Sequence, residues 1–242
     1  MITEKQLEKL IQPIIERESS ISNLALKKIA ERIKEIGQLL PSDVYKLQQL
    51  LKNGNDVREI NKQLAVLTAL QVKDIKELIQ IVAKDAYLDA KPYYDYRLKS
   101  YIPFEKNTQL QRVVKAIANQ TAGTYVNLSQ SRAFMLRDLK NPKKLIPTSL
   151  SKTYYSVVDE AIQATQSGVV DYSTAMHRTI QQLSNSGLSI IEYHPETGGV
   201  YTQSVEAAVR RNVLDGVRAI NQGVQDEVGK EYGSDGKEIT VH

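Results

Sequence analysis

Residues 204–242 read SVEAAVRRNVLDGVRAINQGVQDEVGKEYGSDGKEITVH, and this stretch decides the fold. Val205, Val209, Val213, Val217, Ile220, Val224 and Val228 recur at steps of three and four, which aligns them along one side of a single helix. Ser204 stands where an N-cap belongs, and Glu206 suits the positive end of the helix dipole. Gly233 and the Gly-Ser-Asp-Gly run stop the helix. At about 1.5 Å per residue it is roughly 40 Å long, enough to span a domain, and its apolar stripe has to be buried. Off the stripe, Arg210, Arg211, Asp215 and Arg218 form a polar flank in which Arg211 and Asp215 stand at i,i+4. A short β-type run, 238–241, follows.

Working outward, residues 188–193 are rich in β-branched side chains, 195–199 form a turn, and 200–202 can return as a second strand. With 238–241 this predicts a sheet of two or three strands covering part of the long helix. Tyr154, Val157, Val158, Ala161 and Ile162 mark a helix ending at Gly168. Asp171 caps another, with Ala175, Met176, Ile180 and Leu183 inward and Gly187 closing it. Asn107 caps a helix with Leu110, Val113, Val114, Ile117 and Ala118 on one face, which Gly123 is expected to interrupt. Arg132, Arg137, Lys140, Lys143 and Lys144 follow, opposed only by Asp138, on an expected short helix and a loop containing Pro142. Such a cluster can neutralise phosphates, or it can be a solvated loop.

In the N-terminal region, Leu7, Leu10, Ile11, Ile14, Ile21, Leu24, Leu26, Ile29, Ile33 and Ile36 keep helical spacing, with Pro13 and Ser19-Ser20 expected to kink or divide the segment. It packs as an intrachain pair or as an arm on another subunit. Pro41-Ser42 opens a helix ended by Asn53-Gly54-Asn55, Asp56 and Glu59 cap the next through about Leu67, and a third runs over 73–89. Tyr87, Tyr93, Tyr94, Tyr96 and Tyr101 then crowd a stretch with Pro92 and Pro103 and no clear period. The loss of period suggests a boundary near residue 100, between an N-terminal helical region, 1–100, and an α+β body, 101–242. Tyr93, Tyr94, Tyr96 and Tyr101 are the candidate partner-binding residues, because tyrosine gives contact area at low entropy cost; the alternative is a loop pinned to its own core.

The expected architecture is mainly α (α+β): a multi-helix protein with a long C-terminal helix and a small C-terminal β-hairpin or sheet. Of 242 residues, 41% are hydrophobic and 25% charged, which suits a globular chain with a real core. No run approaches the roughly 18 apolar residues of a membrane helix, so no membrane role is expected. The chain has no cysteine, which excludes disulfides and thiolate metal sites. Net charge is +4 but unevenly placed, with 8 basic and 2 acidic side chains over residues 101–150. His177, His194 and His242 stand on unrelated elements, and the chain has neither a phosphate-binding glycine loop nor a G-x-S-x-G or dinucleotide motif. Neither an enzyme, a cofactor nor a metal is expected.

Residues 205–242 resemble the closing region of the phage minor capsid protein 2 family, itself similar to the MuF-type head-morphogenesis proteins. Members carry a paired arginine in an "AVRR-VL-G" helix, a glycine turn, and a short strand running from an acidic residue to a histidine. Here these are Arg210, Arg211, Val213, Leu214, Gly216, Gly233, Glu238 and His242. Residues 93–134, 168–172 and 186–193 resemble the family in the same order, so the resemblance is colinear over most of the chain. Members usually continue past this histidine into a segment rich in Arg, Pro and His. The resemblance implies a virion structural protein in several copies around one vertex, partnered by portal protein and/or major capsid protein, in the capsid near the portal and in the host cytoplasm during assembly. Its role would lie in head assembly and genome packaging or ejection. Two alternatives stand beside it: a DNA-binding packaging or ejection factor using the 132–144 cations on packaged DNA, and the N-terminal part of a longer MuF-like protein with a C-terminal effector enzyme.

Overall fold

The seven-residue stripe of the C-terminal stretch is buried from end to end. In this computed structural model, which describes residues 2–36, 54–96, 100–137, 145–167, 188–193 and 200–233, the stripe belongs to one 28-residue helix. Within the described residues the order is α1 (Glu4–Ile36), α2 (Asn55–Asp89), α3 (Lys91–Tyr96), a 3-10 turn (Phe104–Lys106), α4 (Thr108–Gln130), β1 (Arg132–Arg137), β2 (Leu145–Ser149), α5 (Leu150–Ser167), β3 (Leu188–Tyr193), β4 (Val200–Ser204) and α6 (Val205–Tyr232). The chain is mainly α, with a long C-terminal helix and a small antiparallel sheet, as its periodicities require. The expected helices at 41–53 and 171–183, the 238–241 strand and all three histidines lie outside the described residues.

The caps of α6 and α4 form as read. The Ala207 amide donates to Ser204 Oγ at 3.2 Å, and the Leu110 amide donates to Asn107 Oδ1 at 3.1 Å. Gly233 closes α6 at φ +65°, a left-handed conformation that glycine adopts without strain. On the polar flank of α6, Asp215 accepts from Arg218 at 3.1 Å, and Arg210 reaches Glu8 of α1 through both terminal nitrogens.

Several expected breaks do not occur. α1 runs unbroken through Pro13 and Ser19-Ser20: Pro13 is exposed, while Ile11 and Ile14 on either side of it are buried. α2 joins what read as two helices, since nothing between Leu67 and Lys73 breaks a helix. α4 passes through Gly123. The residues 132–137 are a strand, not a short helix, because β1 pairs on both sides: Met135 opposite Pro147 of β2, and Arg132 opposite Ile190 of β3.

Packing divides the chain into two units, both drawing on residues from either side of position 100. One comprises Met1–Ile15, Leu70–Val126 and Val209–His242; the other comprises Glu16–Ala69 and Asn127–Ala208. The first is helical among its described residues, with a core of Ile75, Ile79 and Val82 from α2, Leu110, Val114 and Tyr125 from α4, and the α6 valines. The second holds the antiparallel sheet, in order β2-β1-β3-β4, with the expected β3-β4 hairpin pairing Ile191 opposite Thr202. Phe134 of β1, Tyr154, Val158 and Ile162 of α5, and Ile21 and Ile29 of α1 are buried there.

Within the first unit, α4 and α6 meet at a glycine. A Cβ at Gly216 would fall 2.5 Å from Thr121 Oγ1 and 2.6 Å from its Cγ2, and the Asn212 side chain donates to the Thr121 carbonyl at 3.1 Å. Gly123, by contrast, has open space where its Cβ would be. Gly216→Ala gains about 1 kcal/mol of helix propensity but overpacks a stiff threonine at about 1–3 kcal/mol, so its thermal midpoint should fall. Gly123→Ala has only the gain, and its midpoint should rise. Stabilisation of both variants would rule out the close approach.

A tyrosine cluster as candidate docking site

Between α2 and α4 the chain builds an aromatic knot in the first unit. Tyr87, at the end of α2, stacks on Tyr101 with ring centroids 5.1 Å apart and planes 25° from parallel. Tyr94 of α3 meets Tyr101 edge-on at 5.4 Å and Tyr232 of α6 at 4.8 Å. Each such pair is worth about 0.5–1.5 kcal/mol beyond the area it buries. Lys91 Nζ lies 5.8 Å from the Tyr101 ring centroid, on its face.

Hydrogen bonds tie the rings together. Tyr94 Oη donates to Glu231, and Asn107 Nδ2 donates to Glu231 Oε1 at 2.8 Å and to Tyr87 Oη at 3.2 Å. Tyr87 Oη donates to the Ile102 carbonyl at 2.9 Å, and Tyr232 Oη to that of Ala90 at 3.3 Å. One carboxylate on the last turn of α6 thus gathers α3 and the buried cap of α4. The Tyr101 hydroxyl is buried without a hydrogen-bond partner among the described residues.

Burial first, and then the bond it donates to Glu231, push the Tyr94 phenol far above the ordinary tyrosine range. Burial and the Glu231 charge push Tyr232 up to about 12. A raised folded-state pKa means that this stability is fully present below about pH 10 and is lost as pH climbs, since the unfolded chain then releases protons that the folded chain keeps. For Tyr94 the slope is about 1.4 kcal/mol per pH unit above pH 10. Tyr94→Phe should therefore be less stable than wild type at pH 8 but lose stability more slowly between pH 10 and 11 in urea titrations. Parallel slopes would show that Tyr94 ionises in the folded protein.

The four candidate docking tyrosines do not share one environment. Tyr94 is 1% exposed, Tyr101 is half-buried, and Tyr93, its neighbour in α3, is 65% exposed. The Tyr96 side chain lies outside the described residues. Tyr94 anchors α3 while Tyr93 projects from it. Glu231 was not found from sequence, because it stands 137 residues from Tyr94. Asn107 was recognised only as a cap, although its amide hydrogens serve the cluster as well.

The basic candidates are placed differently. The Arg132 side chain of β1, in the second unit, is only 8% exposed and pairs with the fully buried Glu18 of α1. The Arg137 side chain and Lys140, Lys143 and Lys144 lie outside the described residues.

By architecture this is a mainly helical protein with a small antiparallel sheet, and no helix among its described residues is long and apolar enough to cross a membrane. Residues 2–242 match the family model described as phage minor capsid protein 2, and the chain belongs to that family. It is a structural protein of a bacteriophage virion, as the colinear resemblance led one to expect. No curated protein and no solved structure matches it.

Proposed function

We propose that the protein is a portal-associated minor capsid protein, present in several copies around one vertex, that acts in head assembly and genome packaging or ejection and has no catalytic role. Portal protein or major capsid protein is the partner, and Tyr93 on α3 is the anchor that meets it. The observation that carries this reading is the pairing of an exposed ring with a fastened base: Tyr93 is 65% exposed, while Tyr94 beside it is buried and bonded to Glu231. A ring on a pre-positioned helix loses little entropy on docking, which is how aromatic anchors come to dominate interfaces.

Tyr93→Ala is expected to leave the unfolding free energy within about 0.5 kcal/mol of wild type, as surface changes do. It should weaken binding to the head partner by about 2 kcal/mol, roughly 30-fold, seen as loss of co-purification with portal or of incorporation into heads. Normal incorporation would reject the docking role. Tyr94→Ala, which removes the base, should instead lower the midpoint.

A further inference from the structure

From Lys106 to Arg137 the chain has neither aspartate nor glutamate, yet it carries Lys106, Arg112, Lys115, Arg132 and Arg137. Other long helices place a carboxylate within reach of some of their cations: Lys28 with Glu31 at 3.5 Å on α1, Lys73 with Glu77 at 3.6 Å on α2, Lys230 with Glu227 at 2.5 Å on α6. α4 has no acid with which to do so. Arg112 and Lys115 are exposed on it, and neither pairs with a carboxylate among the described residues. Gln109, Asn119 and Gln120 are exposed alongside them.

We propose that this face of α4 binds the sugar-phosphate backbone of nucleic acid without reading its sequence. Phosphate oxygens take donors of these types, from arginine, lysine and side-chain amides. Gln109 to Gln120 spans about 16 Å of helix, enough to follow several phosphates spaced about 3.4 Å along one strand. An acidic protein surface fits less well: a protein interface centres on large apolar or aromatic anchors, and the exposed Ile81, Leu88, Tyr93 and Ile102 all lie off this helix. The contact is separate from Tyr93 and stands whether or not the portal reading does.

The test is fluorescence anisotropy of the full chain with two unrelated 30-base-pair duplexes at 20–200 mM salt. Both duplexes should bind equally, with Kd on the order of 1–100 μM at the higher salt. Arg112→Gln with Lys115→Gln should weaken binding at least fivefold at 50 mM salt and flatten the log–log salt slope by up to about 1.8, while Arg112→Lys keeps the wild-type slope. Lys27→Gln with Lys34→Gln, which removes the same charge from exposed sites on α1, should stay within twofold of wild type. No binding at 20 mM salt would overturn the proposal. So would equal loss in the α1 control, which would mean net charge alone, or equal competition by poly-glutamate, which would mean an acidic protein partner.

Discussion

Replacing Arg132 by methionine should destabilise the protein by about 3–5 kcal/mol, because it takes the arginine's charge away from the fully buried Glu18 carboxylate. Glu18 is 0% exposed and the Arg132 side chain 8%, so the pair is shielded from solvent. At about 2–4 °C per kcal/mol for a chain of this size, the thermal midpoint should drop by about 6–20 °C. Replacing both residues, Glu18→Leu with Arg132→Met, should recover most of that loss, since two apolar side chains need no partner. An unchanged midpoint in the single variant would mean that Arg132 faces solvent and is available to phosphate, as its place in the basic cluster of the sequence suggested.

Val213→Asp should be as damaging. Val213 is 0% exposed at the middle of the α6 stripe, and an unpaired carboxylate there costs several kcal/mol, comparable with the 5–15 kcal/mol that holds a domain together. The variant should lose its cooperative thermal transition. A wild-type melting curve would mean that the stripe is not buried.

What could be read in advance was what local period and capping encode. Seven β-branched residues at helical spacing between Ser204 and Gly233 leave α6 little alternative, and the Ser-Ile-Ile run of β3 is equally local. β1 was missed because Arg-Ala-Phe-Met-Leu-Arg is made largely of helix formers, and only its two flanking strands make it extended. β2 was missed because it is five residues long with Pro147 inside; as an edge strand it tolerates a residue without an N–H. The tyrosines were visible, but which ring points inward depends on Glu231, far along the chain. Glu18 and Arg132, 114 residues apart, were invisible for the same reason. Side chains meeting across such separations leave no periodic trace.

The interleaving of the two units bears on how the protein is made. The first unit takes residues from the start, the middle and the end of the chain, so its core lacks the α6 valines until the ribosome has passed residue 209. At roughly 5–20 residues per second, synthesis of the first 209 residues takes on the order of 10–40 s, during which Ile75, Ile79, Val114 and the Tyr87–Tyr94 rings lack their final cover. A nascent chain released early should therefore be a chaperone client and a protease substrate, and a fragment ending near residue 100 should inherit the same exposure rather than behave as a self-contained arm.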